Sequence, residues 1–153
     1  MESLKKYYKN GQLAYEISVK NGDRHGISKR YYSNGVLEFE CCYNGGQAEG
    51  IKKRYYDSGQ IGEEISYENG TKNGPEKLYW PNGKVRYLTN YKNGYKDGLS
   101  KEFNKNGECI RNTFFEDGEE TGLIGQFWHL FSENISCLLQ PNKTKKRYND
   151  LTY

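Results

Sequence analysis

The sequence ISKRYYSNGVLEFE, residues 27–40, contains two strand-forming runs joined by Asn34-Gly35. Aromatic and β-branched residues favour strands, and Asn-Gly between such runs is a strong hairpin signal because both residues tolerate the positive φ of a tight turn. Nearly the same segment recurs along the chain with a period of 24 residues. A fixed period of this length indicates a repeat architecture. The 24-residue repeat is therefore the feature that determines the predicted fold.

Two series of turn dipeptides divide the chain into strand-length pieces. The first series is Asn10-Gly11, Asn34-Gly35, Ser58-Gly59, Asn82-Gly83 and Asn106-Gly107, and the second is Asn21-Gly22, Gly45-Gly46, Asn69-Gly70, Asn93-Gly94 and Asp117-Gly118. A further glycine follows each second-series turn, at Gly26, Gly50, Gly74, Gly98 and Gly122. We predict type I′ hairpin turns at these dipeptides. The chain is then all-β, an elongated antiparallel β-meander of about eleven strands in a single-sheet repeat array.

The turn positions also predict the strand register. A two-residue loop at Asn34-Gly35 places Tyr32 opposite Leu37 and Lys29 opposite Glu40, and the same count places Lys5 opposite Glu16 and Lys53 opposite Glu64. A three-residue loop with a bulge would shift this count by one. Alternation then predicts an apolar face that carries Tyr8, Leu13, Tyr15, Ile17, Val19 and their repeats. The opposite face carries Lys29, Tyr31, Glu38, Glu40 and their repeats.

The regular pattern predicts three segments. Residues 1–128 form an array of about five repeats, and residues 123–140 form a C-terminal cap with one more strand or a short helix, because a repeat array needs an atypical end. Residues 141–153 form a basic, flexible tail.

Composition limits the classes of partner and compartment. Net charge is +3, and the excess lies in the tail, so the body is balanced and no nucleic-acid partner is expected. The cysteines Cys41, Cys42, Cys109 and Cys137 lack Cys-x-x-Cys spacing, so we expect no zinc site and predict free thiols. No apolar run is long enough for a signal peptide or a membrane span. These observations predict a cytoplasmic protein.

The pattern Tyr-Tyr-x-Asn-Gly-x-Leu-x-x-Glu-x-x-Tyr-x-Asn-Gly-x-x-x-Gly resembles the variant MORN repeat. Residues 31–50 carry most of it, residues 55–74 and 79–98 carry it with substitutions, and the resemblance covers about residues 5–128. Bacterial proteins of this kind are commonly named YwqK-family antitoxins of toxin–antitoxin systems. The resemblance thus implies a non-enzymatic protein that neutralises a partner toxin by binding. The degenerate fifth unit and the Phe- and Trp-rich end depart from the pattern.

No residue set predicts catalysis, a metal or a cofactor. His25 and His129 have no adjacent nucleophile or metal-ligand companion in sequence. The repeated glutamates Glu16, Glu40 and Glu64 favour a structural role, since a catalytic acid is more plausible at a single special place. An enzyme whose site forms around His129 and Cys137 in the cap stays open as a third hypothesis.

The aromatic residues have two possible roles, cross-strand packing and partner binding. The candidates for partner contact are Trp80, Tyr95, Trp128, Phe131, Tyr31, Tyr55 and Tyr79. The leading hypothesis is a non-enzymatic scaffold that binds a partner protein, in the family sense an antitoxin binding its toxin. The alternative is peripheral binding to membrane phospholipid through the basic tail and exposed aromatics. The sequence does not name the partner or the oligomeric state, although edge strands can pair with another copy.

Overall fold

The computed structural model describes residues 1–121, which form one antiparallel sheet of twelve strands. The strands are β1 (Glu2–Tyr7), β2 (Leu13–Lys20), β3 (Asp23–Tyr31), β4 (Leu37–Asn44), β5 (Gln47–Tyr55), β6 (Ile61–Glu68), β7 (Thr71–Tyr79), β8 (Val85–Lys92), β9 (Tyr95–Lys96), β10 (Gly98–Phe103), β11 (Cys109–Glu116) and β12 (Glu119–Thr121). β9 and β10 both pair with β8 and are separated by Asp97, whose N–H donates to the Asn90 carbonyl. They act as one interrupted strand, so the sheet has eleven positions in sequence order. The predicted all-β meander is confirmed. Cap residues 123–140 and tail residues 141–153 lie outside the described residues.

The charged pairs face each other as the turn positions predict. Lys5 lies opposite Glu16, Lys29 opposite Glu40 and Lys53 opposite Glu64. Lys5 Nζ forms an ion pair with Glu16 Oε1 at 3.2 Å. The register away from the turns is therefore fixed by the two turn series.

The first-series turns differ from the predicted type I′ geometry. At Asn34-Gly35 the N–H of Gly35 donates to the Tyr32 carbonyl at 2.9 Å, and the N–H of Tyr32 donates to the Val36 carbonyl at 2.8 Å. Gly35 has a φ of +85°, whereas the φ of Asn34 is not positive. This is a three-residue loop that ends in a bulge glycine, the alternative that Asn-Gly also permits. In the second series both residues have positive φ, for example Asn21 at +55° and Gly22 at +89°, as type I′ requires.

The bulge corrects the predicted assignment of residues to faces. Tyr79 pairs with Val85 and Lys77 pairs with Leu88, so Val85 and Leu88 share a face although they are three residues apart. Val85 therefore lies on the opposite face from Tyr87. The residues at the start of the even-numbered strands, Leu13, Leu37, Ile61 and Val85, were predicted on the wrong face because the extra bulge residue reverses the alternation. For the same reason Tyr31, not Tyr32, lies opposite Leu37.

We name the two faces by one residue each. The Ser28 face carries Ser28, Arg30, Phe39 and Cys41, and the Lys29 face carries Lys29, Glu40, Lys53 and Glu64. The most buried residues of the Ser28 face form one row along it: Ser28 is 3% exposed, Cys41 2%, Ile65 4% and Thr89 7%. A single sheet has no second layer, so neighbouring longer side chains must cover this row. It is the core of the array.

The cysteines are not all alike. Cys41 is buried and Cys42 is exposed, as alternation along β4 predicts, and both are free. The prediction of free thiols does not hold for Cys109, which is disulfide-bonded. Cys137 lies outside the described residues.

Candidate interaction groove

A groove of about 570 Å³ lies on the Ser28 face over β2 to β5. We call it the basic groove. Its lining includes Tyr15, Arg24, Ser28, Arg30, Phe39, Lys52 and Arg54. Four of these side chains are cationic, and two are aromatic.

Strand register explains why residues distant in sequence meet in the basic groove. Ser28 and Arg30 are two apart on β3, and Lys52 and Arg54 are two apart on β5, so each pair projects to one face. Phe39 on β4 lies between Arg30 and Arg54 as the cross-strand partner of both. Neighbouring strands are about 4.8 Å apart, so the two arginine positions are separated by roughly 9–10 Å.

The basic groove contains more cations than carboxylate partners. Arg30 Nη2 contacts Glu38 Oε1 at 2.6 Å, and Lys52 Nζ lies 3.7 Å from Glu63 Oε2. Within residues 1–121 Arg54 forms no ion pair, and its cross-strand partner Glu63 contacts Lys52 instead. A cation that is not engaged by a carboxylate is free to attract an anionic group.

Arg24 and Lys52 also contact aromatic rings. The Arg24 guanidinium lies 5.2 Å from the centre of the Tyr43 ring and donates to its hydroxyl at 3.4 Å. Arg24 has no carboxylate partner among the residues that the structure describes. Lys52 Nζ lies 5.6 Å from the centre of the Phe39 ring. These contacts hold both cationic side chains over the sheet, and the charge of Arg24 stays uncompensated within residues 1–121.

The floor of the basic groove contains an unpaired hydroxyl. Ser28 Oγ is buried and has no hydrogen-bond partner. A buried polar atom without a partner is costly, so it indicates a strained site or one that a ligand completes. Next to it, burial raises the pKa of the Cys41 thiol, which keeps that thiol neutral.

The second half of the Ser28 face has the same architecture and a different charge. Glu76 and Leu78 occupy the positions that Lys52 and Arg54 occupy one repeat earlier. A groove of about 210 Å³ lies there around Ser100, and it contains Glu102 and Glu120 beside its cations. Tyr87 donates to Glu102 at 2.6 Å. The repeat itself therefore does not require the positive charge of the first half.

Three of the predicted contact aromatics, Tyr31, Tyr55 and Tyr79, occupy equivalent positions of successive repeats and lie on the Lys29 face. The Tyr55 hydroxyl donates to Glu40 Oε1 at 3.0 Å, and the Tyr79 hydroxyl donates to Glu64 Oε2 at 2.6 Å. Burial and these carboxylates raise the pKa of each phenol to about 12. The carbonyl of Tyr31 accepts a hydrogen bond from the Tyr8 hydroxyl at 2.7 Å.

Of the irregular aromatics, Trp80 and Tyr95 lie apart from the basic groove. Trp80 Nε1 donates to the Phe103 carbonyl at 3.0 Å, and its ring lies 4.5 Å from the Arg86 guanidinium. Tyr95 is 62% exposed and follows the Asn93-Gly94 turn. Trp128 and Phe131 lie outside the described residues. Sequence reasoning missed the groove cations, and the available signal was the change of charge down equivalent positions of the repeat.

The described residues contain neither a metal-type cluster nor a membrane span. Within residues 1–121 there is no group of three or more His, Cys, Asp or Glu residues positioned to hold a metal ion. The same residues include no helix long and apolar enough to cross a membrane.

The chain matches a known repeat family. The family described as MORN repeat variant matches residues 3–21, 24–44, 48–69 and 72–93, which together make up more than half of the chain. No curated protein matches the chain. The strands after residue 93 continue the same hairpin geometry, although the family match ends there.

Proposed function

Since the chain belongs to the MORN repeat variant family, a family of non-catalytic repeat scaffolds, we propose that it acts by binding another protein along its Ser28 face. The finer form of the proposal is an antitoxin that neutralises a toxin by covering it. A continuous sheet face more than ten strands wide presents a long binding surface held by neighbour contacts.

The observation that carries this proposal is the basic groove. Packing of the array does not need cations at the positions of Arg30, Lys52 and Arg54, since the equivalent positions further along hold Glu76, Leu78 and Glu102. The position of Arg24 differs, because it keeps a lysine over an aromatic ring at Lys72 and Lys96. Charge that the fold does not require favours a role in recognition. The recognition role of the groove is inferred from this contrast.

Other residues are proposed as additional contacts. Tyr95 has the exposure that a binding aromatic needs. Tyr31, Tyr55, Tyr79 and Trp80 make structural hydrogen bonds with their side chains or backbone, and any partner contact they make is additional to that role. Trp128 and Phe131 stay proposals for residues outside the described part of the chain.

The test is capture of the partner from the native source with the tagged chain, followed by mass spectrometry. We expect a specific protein, and for the antitoxin form a small protein whose expression alone arrests growth and whose toxicity the chain relieves. Recovery of no specific protein by a chain that is folded by circular dichroism would contradict the proposal. A captured protein that is not toxic would leave the scaffold function and remove the antitoxin form.

A second candidate is binding to phospholipid membranes through the Lys29 face. Ile27 is 53% exposed and Ile51 is 55% exposed there, each two residues before Lys29 or Lys53 on the same strand. Apolar side chains beside lysines match the interface of an anionic membrane. Flotation with phosphatidylserine vesicles tests this, with the double variant Ile27→Ser/Ile51→Ser and with deletion of residues 141–153. Absence of flotation by the wild-type chain would exclude the candidate.

A further inference from the structure

We propose that the basic groove binds an extended acidic segment of the partner protein, in which carboxylates at every third position meet Arg30 and Arg54. This inference deepens the proposed function and rests on it. It names the chemistry of the partner and the residues that recognise it.

Charge is the first argument. Arg24 and Arg54 form no ion pair within residues 1–121, and Arg30 is 54% exposed at its side chain, so it retains donors beyond its contact with Glu38. A guanidinium presents donors in a fork that fits a carboxylate. Glu38, which contacts Arg30, and Glu63, which lies opposite Arg54, oppose an incoming anion, yet the four cations outnumber them.

The hydroxyl on the groove floor is the second argument. Ser28 Oγ has no partner and lies below the cationic side chains. A carboxylate that enters between those flexible side chains gains a neutral donor in addition to the arginines. Completion of this hydrogen bond offsets the cost of leaving the hydroxyl unpaired in the free protein.

Spacing is the third argument. Arg30 on β3 and Arg54 on β5 are separated by one strand, which corresponds to roughly 9–10 Å across the sheet. A polyproline II segment advances about 3.1 Å per residue with three residues per turn, so side chains three apart point the same way about 9.3 Å apart. The distance between acidic residues at every third position therefore matches the distance between equivalent positions of two successive repeats. The Tyr15 and Phe39 rings lie one repeat apart in the same groove and offer contacts to the residues between.

The position of the charge favours a protein segment over a membrane. The floor of the groove is nearly closed to solvent, with Ser28 3% exposed and Cys41 2% exposed. A flat bilayer contacts the rims of such a groove, whereas one extended chain fits into it. The exposed apolar side chains Ile27 and Ile51 lie on the Lys29 face and add nothing to a membrane contact by the groove.

The experiment measures binding of a fluorescein-labelled peptide with three Glu-Pro-Pro units to the full chain by fluorescence anisotropy. We expect saturable binding that weakens with salt. A peptide with the same composition but three consecutive glutamates should bind several-fold more weakly. Arg54→Ala should weaken binding of the spaced peptide about tenfold or more, because one charge-assisted interaction is lost. Ser28→Ala should weaken it about threefold or more on the same grounds.

The chain supplies matched controls on its own second half. Ser100 occupies the position of Ser28 three repeats later, and Ser100 Oγ is likewise unpaired. Ser100→Ala and Arg111→Ala should leave peptide binding unchanged. Circular dichroism and urea unfolding identify any variant whose loss of binding reflects loss of fold.

Defined outcomes overturn the inference. Equal losses for the Ser28 and Ser100 variants, or for Arg54→Ala and Arg111→Ala, would show that the groove is not the site. Binding to phosphatidylserine vesicles that needs Arg54, without binding to either peptide, would assign the groove to membranes. A captured partner whose affinity is unaffected by Arg54→Ala would overturn this inference and leave the proposed function intact. Failure to capture any partner would instead contradict the proposed function.

Discussion

The phenolic hydroxyl of Tyr32 donates a 2.8 Å hydrogen bond to the backbone carbonyl of Tyr55 in the next repeat. The same bond recurs from Tyr8 to Tyr31, from Tyr56 to Tyr79 and, through an indole N–H, from Trp80 to Phe103. A repeat array is stabilised largely by contacts between neighbouring repeats. This column of donors is therefore a structural joint between units, and Trp80 belongs to it.

Removal of one hydroxyl from this column should lower stability. Tyr32→Phe leaves the Tyr55 carbonyl without its donor, and we expect a decrease of about 1 kcal/mol in the free energy of unfolding in urea. Tyr7→Phe is the matched control, because Tyr7 is 58% exposed at the edge strand. Equal stabilities for the two variants would show that the hydrogen bond between repeats contributes nothing.

The turn at Ser58-Gly59 lacks two side-chain hydrogen bonds that three of its sister turns make, and restoring them should stabilise the array. Asn34 Nδ2 donates to the Asp57 carbonyl of the next turn at 3.2 Å, and its Oδ1 accepts from the Val36 N–H at 3.0 Å. Asn10 and Asn82 make the same two bonds. Ser58 stands at the equivalent position, and its side chain forms no hydrogen bond within residues 1–121.

We expect Ser58→Asn to raise the free energy of unfolding by about 0.5–1.5 kcal/mol, and Asn34→Ala to lower it by a similar amount. Thermal and urea unfolding of both variants measure this. A Ser58→Asn variant that is less stable than the wild type would contradict this description of the turns, since Asn occupies the position in four sister repeats.

The tyrosine–glutamate pairs on the Lys29 face should make the fold sensitive to alkaline pH. Burial, and then Glu40 and Glu64 respectively, raise the pKa of Tyr55 and Tyr79 from 10.0 to about 12. Between these values the folded chain holds protons that the unfolded chain has lost, so stability falls as pH rises from about 10 to about 12. Below pH 10 both states are protonated and the contribution is complete.

The double variant Tyr55→Phe/Tyr79→Phe should lose less stability than the wild type across that pH window. Urea unfolding at a series of pH values gives the slope for each protein. Tyr7→Phe serves again as the control and should keep the wild-type slope. Identical slopes for all three proteins would remove the two phenols as the cause.

Adjacent cysteines should differ sharply in reactivity. Cys41 is 2% exposed, and burial raises the pKa of its thiol, whereas Cys42 is exposed on the opposite face. Because the thiolate is the reactive form, iodoacetamide at pH 8 should alkylate Cys42 at least about tenfold faster than Cys41. Comparison of Cys42→Ser with Cys41→Ala by intact mass gives the two rates. Similar rates would mean that the core row of the Ser28 face is open to solvent.

The sequence specified most of the fold because its signals are local and repeated. The period and the turn dipeptides were sufficient for the sheet, the strand order and pairs such as Lys29 with Glu40. They were not sufficient for the turn type, because Asn-Gly suits both a two-residue loop and a three-residue loop with a bulge. The φ of Asn34 and the two hydrogen bonds of Tyr32 distinguish these loops, and neither is visible in the sequence.

The basic groove was less accessible to sequence reasoning. Arg30 and Arg54 are 24 residues apart, and they form one site only because β4 separates their strands. Their equivalents in the later repeats are Leu78 and Glu102, a change that net charge over the whole body conceals. The sequence favours irregular aromatics such as Trp80 as partner contacts, whereas the indole N–H of Trp80 makes a structural hydrogen bond between repeats. Comparing charge at equivalent positions of a repeat is therefore more informative than looking for unusual aromatics.

Site-specific photo-crosslinking in the native source tests the central claim most directly. A photoreactive phenylalanine analogue replaces Phe39 in the basic groove, and the same analogue at Tyr55 reports on the Lys29 face. We predict that the probe at position 39 crosslinks one protein through an acidic segment, and that Arg54→Ala abolishes this crosslink. A crosslink at position 55 alone, or no protein crosslink at position 39, would contradict the account.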